Sequence, residues 1–132
     1  MLKTIAVQSQ QKIEVINVTY QLKALVREVS DGLALFYIPH TTASLLINED
    51  DQELREDFVK VVENWLSDNK PFAHIKNNNP NTEAHIYSAL GGSRLSVAII
   101  DGEMDLGKFQ NILFLEMDGP KQREIRCKIV AG

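Results

Sequence analysis

The architecture of this chain can be inferred outward from Leu33-Ala-Leu-Phe-Tyr-Ile38, which runs directly into Pro39-His40-Thr41-Thr42. The first of these segments is apolar at both alternating positions, so it predicts a β-strand that is covered on both faces. Proline cannot donate to a β-ladder and therefore ends that strand. A histidine and two threonines then follow at one end of the predicted sheet, which makes this end a candidate site.

The segment after the threonines predicts a second strand and a long helix. Ser44 to Ile47 is the strand, and Asp50 with Glu53 three residues later resembles a capping box at the start of a helix. The apolar face of this helix consists of Leu54, Phe58, Val61, Val62, Trp65 and Leu66. We expect Trp65 to lie in the core.

Before the opening stretch, residues 2–8 and 12–18 alternate apolar and polar side chains, which predicts two strands in a first hairpin. Thr19 is suited to cap a helix that ends near Asp31-Gly32. Its apolar positions recur with helical spacing at Leu22, Leu25, Val26 and Val29.

After the long helix, residues 67–81 are predicted to be a polar loop, and Asn79-Pro80 suits the opening of a further helix. Residues 95–100, 112–117 and 124–130 then predict strands that form neighbouring antiparallel pairs. Strands at both ends with helices between them indicate the α+β class. We expect a compact single domain over residues 1–132, with a largely antiparallel sheet or sandwich core and about three helices.

Composition narrows the classes of partner. The net charge is −4 and the basic residues are scattered, which argues against nucleic-acid binding. No apolar run is long enough for a membrane span and no signal peptide is recognisable, so a soluble cytoplasmic protein is expected. Cys127 is the one cysteine, which excludes an internal disulfide, and we expect it to be a small buried hydrophobe.

The three histidines are candidates for chemistry. His40 follows the apolar strand, His74 lies in the polar loop, and His85 lies four residues after Asn81 on the same helical face. Imidazole transfers protons near neutral pH and, when neutral, binds zinc-like metals. If the three histidines lie together in the fold, they would form either a metal site or a site for acid–base chemistry and phosphate binding. Their spacing in the sequence matches no standard metal motif. A structural role for each histidine remains the alternative.

Polar residues beside these histidines extend the candidate site. Thr41, Thr42, Asn48 and Asn81 are candidates for substrate binding. Asn48 lies where a strand gives way to a helix, so it either orients a substrate or caps the helix. The carboxylates of Glu49 and Asp51 would oppose a bare phosphate there unless a divalent cation such as magnesium intervened.

With these residues identified, the chain resembles the YjbQ-like family, some members of which are described as secondary thiamine-phosphate synthases. The resemblance covers nearly the whole chain. It rests on ordered motifs, namely His40-Thr-Thr-Ala43, Asn48-Glu49, Asp57, Asn81, Ala84-His85-Ile86, Leu90-Gly-Gly-Ser93, Gly102, Leu106-Gly107, Gln110, Glu116, Asp118-Gly-Pro120 and Arg123. The chain departs from the family at Lys108-Phe109, where Thr-Trp is common.

The resemblance implies a homotrimer whose activity joins hydroxymethylpyrimidine diphosphate to thiazole phosphate and releases diphosphate. Such a reaction needs charge neutralisation and positioning of two rings. Its implied site has His40, His85 and Glu49 in catalysis, while a small phosphorylated substrate would contact Lys108, Gln110 and Arg123. A magnesium ion on Glu49 or Asp51 would assist, with no organic cofactor.

Two other functions are compatible with the sequence. One is a metal-assisted hydrolase, with zinc held by His40, His74 and His85 and Glu49 as the base. The other is a non-catalytic oligomeric binding protein whose histidines form hydrogen bonds between subunits. The sequence also leaves open whether Glu116 and Arg123 form a structural ion pair or belong to the pocket.

Overall fold

A computed structural model describes residues 2–74 and 81–132 of the chain. These ranges contain three α-helices, α1 (Thr19–Val26), α2 (Gln52–Asn64) and α3 (Thr82–Gly91). They also contain eight strands, namely β1 (Leu2–Gln8), β2 (Glu14–Asn17), β3 (Asp31–Tyr37), β4 (Ala43–Asn48), β5 (Arg94–Ile100), β6 (Glu103–Met104), β7 (Asn111–Glu116) and β8 (Gln122–Ala131).

The strands form two antiparallel sheets. One has five strands in the order β1-β8-β3-β5-β6, and the other has three in the order β2-β7-β4. Every pair in both sheets is antiparallel. The prediction of an α+β fold with antiparallel sheets and three helices is confirmed.

Two apolar cores hold the layers together, and β7 lies between them. Ile112 and Phe114 face a core shared with α1 and the inner side of the five-stranded sheet. Leu113 and Leu115 point the other way, into a core formed with α2 and α3. Because side chains alternate across a strand, one strand supplies both cores, and all of β7 after its first residue is buried.

The outer face of the five-stranded sheet carries exposed apolar residues in the single chain. Ala34 and Phe36 of β3 point into the core, whereas Leu33 remains 45% exposed. Its cross-strand neighbour Val130 is 62% exposed, and Ile100 at the end of β5 is 50% exposed. The prediction that β3 is covered on both faces is therefore wrong for one chain.

The predicted first hairpin is also wrong. β1 pairs with β8 and β2 pairs with β7, so residues 9–13 cross from one sheet to the other. Ser9 fixes this crossing, since its backbone N–H donates to the Lys121 carbonyl at 3.0 Å and its hydroxyl donates to Glu116 at 2.7 Å. Alternation identified both strands, but it contains no information about which distant strand each one joins.

α1 is shorter than predicted and begins differently. Thr19 does not cap it; the Asn17 side chain accepts the Thr19 N–H at 3.0 Å, while the Thr19 hydroxyl accepts the N–H of Ile112 at 2.8 Å. The helix ends at Val26, and Val29 packs on the core from the following turn. An apolar residue at helical spacing can thus reach the core without being helical.

α2 is capped by Asp51 rather than by Asp50. The Asp51 carboxylate accepts the N–H of Leu54 at 3.0 Å, whereas Asp50 accepts from Nε of Arg55 at 2.6 Å. At the other end, Trp65 is 59% exposed and stacks on Tyr87 with 5.4 Å between the ring centroids. The expectation that Trp65 lies in the core is wrong because it covers the outer surface of Tyr87.

The last strands differ from the predicted pairing. β7 and β8 belong to different sheets, and the short β6, which pairs with β5, was not predicted. α3 begins at Thr82 with Asn81 before it; the predicted opening at Asn79-Pro80 lies outside the described residues. A turn between two strands indicates that they are antiparallel, but it does not require that they pair with each other.

Candidate functional site

An open cleft of about 460 Å³ lies beside His40, at the end of the chain segment that continues β3. Its wall is formed by β1, β8 and His40, through the residues Thr4, Ile5, Ala6, His40, Gln122, Arg123 and Glu124. The backbone N–H of Glu124 donates to Nε2 of His40 at 3.0 Å. An imidazole that accepts at Nε2 holds its proton on Nδ1 when it is neutral.

The environment of His40 favours its neutral form. Burial lowers the pKa of the imidazole below its ordinary value of 6.5, and the positive charge of Arg123 lowers the pKa further. The carboxylates of Glu124 and Glu116 act in the opposite direction but are outweighed. At neutral pH His40 is therefore an uncharged ring with a defined tautomer.

A buried ion pair holds Arg123 at the back of the cleft. Nε and Nη2 of Arg123 both donate to the Glu116 carboxylate, and Nη2 also donates to the Thr42 hydroxyl at 2.8 Å. Ser9 donates to the same carboxylate at 2.7 Å. Arg123 thus belongs both to a structural ion pair and to the wall of the cleft.

This network sets the ionisation of Glu116. Burial by itself raises the pKa of the carboxyl, but the bonds donated by Arg123, Ser9 and the backbone of Asp118 outweigh burial and leave the pKa below 4.5. Glu116 is therefore an anion that neutralises Arg123 in the protein interior. The Arg123 side chain is 5% exposed, and Glu116 and Thr42 hold its guanidinium in the protein interior.

The predicted threonines have different positions. Thr42 is buried and accepts from Arg123, so it orients the guanidinium. Thr41 is exposed beside it. A direct contact between either threonine and a substrate stays a prediction.

The predicted residues at the start of α2 do not line the His40 cleft. Asn48 and Glu49 are exposed, and the Asn48 side chain accepts the backbone N–H of Glu49 at 2.7 Å. Asp51 is committed to the helix cap. Among the described residues no group of three or more His, Cys, Asp or Glu side chains is arranged to hold a metal ion, so the magnesium site on Glu49 or Asp51 gains no support.

The three histidines do not converge in one chain. The rings of His74 and His85 make an edge-to-face contact with 5.0 Å between centroids, whereas His40 is engaged by Glu124 at the separate cleft. The proposed three-histidine zinc site is therefore not formed by the described residues of one chain. The catalytic role predicted for His85 remains untested.

The remaining predicted contacts are dispersed. Asn81 donates to Asp118 at 3.1 Å, and Gln110 accepts the N–H of Gly107 at 2.7 Å. The Lys108 ammonium lies 5.4 Å from the centroid of the Phe109 ring. None of these three predicted residues lines the His40 cleft.

Sequence reasoning missed Thr4, Gln122 and Glu124 in the cleft wall. β1 and β8 come together with Thr4 opposite Arg126 and Ala6 opposite Glu124. That pairing joins the two ends of the chain, and no local motif signals it. Only the position of Arg123 in a motif hinted that β8 contributes to a site.

A sequence model of the family described as UPF0047 protein YjbQ-like matches residues 3–132. The chain belongs to the YjbQ-like UPF0047 family. A UPF0047 protein of Archaeoglobus fulgidus is 38% identical and aligns with 89% of this chain and 91% of its own length. One from Methanocaldococcus jannaschii is 35% identical over 98% of this chain and 94% of its own length.

Solved structures have the same fold, and one of them is described as a member of the same family. A YjbQ/UPF0047 protein of Clostridium acetobutylicum superposes with a TM-score of 0.89 at 32% identity, covering 97% of this chain and 99% of that one. A hypothetical protein of Aeropyrum pernix superposes with a TM-score of 0.92 at 27% identity. The match covers 100% of this chain and 99% of that one.

The relatives correct the functional expectation. The UPF0047 relatives are described by family alone, and a structure from Sulfolobus solfataricus is described as a protein of unknown function. Membership therefore does not carry thiamine-phosphate synthase activity to this chain, and the expectations of that activity, of a transferase and of thiamine biosynthesis are wrong as inferences from the family. None of the described helices has the length and apolar character needed to cross a membrane.

Proposed function

We propose that the His40 cleft binds the anionic group of a small phosphorylated molecule. The main support for this proposal is the hydrogen bond that the Glu124 N–H donates to Nε2 of His40. In a neutral ring this bond leaves the Nδ1–H group of His40 as a hydrogen-bond donor. Gln122 and Thr4 supply polar groups in the same wall, and the Arg123 guanidinium lies behind that wall, paired with Glu116.

The test is to titrate phenyl phosphate into the wild type and His40→Gln and to measure heat or ³¹P shifts. Glutamine retains an acceptor for the Glu124 N–H, but its amide N–H groups do not occupy the position of the imidazole Nδ1–H. Losing a hydrogen bond to a charged group costs about 1.5–3 kcal/mol, so affinity should fall by roughly tenfold or more.

His85→Gln is the matched control because it removes an imidazole that does not line the cleft. It should bind phenyl phosphate as the wild type does. No binding in the wild type, or equal affinity in the wild type and His40→Gln, would refute an anion site at His40.

We further propose that three copies of the chain assemble through the outer face of the five-stranded sheet. Leu33, Val130 and Ala98 are neighbours across three strands of this face and all are exposed. The strand β3 has the sequence of one covered on both sides, and an apolar patch shared by paired strands is typical of an interface. A second copy is the occupant that would cover it.

Such a contact would border the cleft, because Thr4, Ala6 and Glu124 occupy outward register positions of β1 and β8. Light scattering coupled to size exclusion should give the mass of a trimer for the wild type and a smaller species for Leu33→Lys. Leu90→Lys, at a 66% exposed residue of α3, serves as the control and should remain trimeric. A monomeric wild type would exclude this assembly.

A further inference from the structure

His74 and His85 are held as neighbours on the surface, away from the His40 cleft. Their ring centroids are 5.0 Å apart and their planes are inclined by 81°. His74 is exposed and His85 is half-buried, so both residues keep solvent-accessible surface.

The first turn of α3 positions this pair. The Thr82 hydroxyl donates to the backbone carbonyl of His74 at 2.8 Å, which ties the backbone at His74 to the start of the helix. His85 lies three residues after Thr82 and therefore on the same helical face. The N–H of His85 donates to the Asn81 carbonyl at 3.2 Å, so its backbone belongs to the regular helix. Two separate backbone anchors thus bring the imidazoles together.

The separation suits two ligands of one metal ion. With Zn–N bonds of about 2.0–2.1 Å and tetrahedral angles, the centroids of two bound imidazoles lie roughly 5 Å apart. The centroid distance of His74 and His85 has this value. The torsion about the Cβ–Cγ bond is broad in histidine, so the exposed His74 ring can change its inclination to His85 with little movement of its centroid.

We propose that His74 and His85 form a two-imidazole site for a divalent late transition-metal ion such as Zn²⁺. Imidazole selects Zn²⁺, Cu²⁺ or Ni²⁺ over Mg²⁺, which prefers oxygen ligands. Water fills the remaining positions. The site is independent of the proposed anion cleft, since His40 takes no part in it and neither His74 nor His85 lines that cleft.

The experiment titrates Zn²⁺ alone into metal-free protein, with calorimetry and imidazole NMR shifts as readouts. The wild type should bind one Zn²⁺ per chain, with shifts at His74 and His85 but not at His40. His74→Ala and His85→Ala should each weaken binding by about 100-fold or more, because a second tethered ligand multiplies affinity by roughly this factor. His40→Gln should bind Zn²⁺ as the wild type does.

Thr82→Val tests the positioning of His74 without removing a ligand. It deletes the hydroxyl that holds the His74 backbone and should weaken Zn²⁺ binding by about 10-fold or more, in the range of outer-shell substitutions. Wild-type affinity in both His74→Ala and His85→Ala would overturn the site. The site would also be overturned if His40→Gln weakened Zn²⁺ binding as much as His85→Ala does. Failure of phosphate binding at His40 would leave these metal results unaffected.

Discussion

At the scale of single residues, a backbone N–H from β8 determines which nitrogen of His40 carries the proton. Pro39 ends the strand segment, so the position of His40 at a sheet end follows from the order of residues. Its tautomer does not, because the donor is the backbone of Glu124, which lies 84 positions away along the chain. The chemistry of a histidine depends on such long-range partners, which local patterns do not record.

We predict that His40 makes stability fall as the solution becomes mildly acidic. Its pKa is lowered in the folded protein, so the stabilisation is present above the unfolded value of 6.5 and is lost as pH falls through the folded pKa. Urea unfolding of the wild type and His40→Gln between about pH 7.5 and 5 should show a decline in the free energy of unfolding that the variant lacks. Parallel curves for the two proteins would contradict this assignment.

The Glu116–Arg123 pair supports a second residue-scale prediction. Glu116→Gln preserves shape but leaves a buried guanidinium without its counter-charge, which should reduce the free energy of unfolding by about 3–5 kcal/mol. Glu124→Gln is the control, since Glu124 and its partner Arg126 are 37% and 38% exposed. That change should cost less than about 1 kcal/mol. If denaturant titrations gave the same loss of unfolding free energy for Glu116→Gln and Glu124→Gln, the buried pair would contribute no more to stability than the exposed one.

At the scale of elements, the type of most elements was predictable and the partners of the strands were not. The apolar runs of β3 and β7 and the alternation in β1 and β8 are local signals. The assignment of β1 and β2 to different sheets depends on the crossing at Ser9, which bonds to Lys121 and Glu116 far along the chain. For the same reason, the wall of the His40 cleft formed by β1 could not be inferred.

The contact between α3 and β4 supports an element-scale prediction. A Cβ at Gly91 would lie 2.7 Å from Oγ of Ser44, a fully buried hydroxyl with no hydrogen-bond partner among the described residues. Gly91→Ala should destabilise the protein because overpacking costs about 1–3 kcal/mol, more than the gain of up to about 1 kcal/mol in helix propensity. Thermal or urea unfolding measures the change.

Ser44→Ala provides the matched background. Alone it should be neutral or stabilising, since it removes an unsatisfied buried hydroxyl. In this background Gly91→Ala should cost markedly less, because the close Oγ contact has gone and the next contact is Cβ of Ser44 at 3.2 Å. Strictly additive effects in the double-mutant cycle would show that the two residues are not coupled.

At the scale of the whole molecule, the uncovered sheet face distinguishes what one chain buries from what its sequence is suited to bury. β3 was predicted to be covered twice, and one chain covers it once, leaving Leu33 and Val130 exposed. Hydrophobic patterning therefore predicted burial without specifying which molecule provides it. The single chain leaves the outer half of this pattern unsatisfied, and the proposed assembly would cover it.

If three copies share this face, stability should depend on protein concentration. The thermal midpoint of the wild type should rise over about a hundredfold increase in concentration, because association favours the folded state by mass action. Leu33→Lys should show a lower midpoint that is independent of concentration, whereas Leu90→Lys should behave as the wild type does. A wild-type midpoint that does not move would contradict assembly.

The central position of β8 between β1 and β3 also has a consequence for biosynthesis. A ribosome makes β1 and β3 long before the strand that hydrogen-bonds to both. Until β8 emerges, each of these strands lacks its ladder partner on that side and exposes backbone groups that promote aggregation. The nascent chain must therefore pass through the synthesis of residues 38–121 with this sheet incomplete, a period in which chaperones that cover strand edges would have the greatest effect.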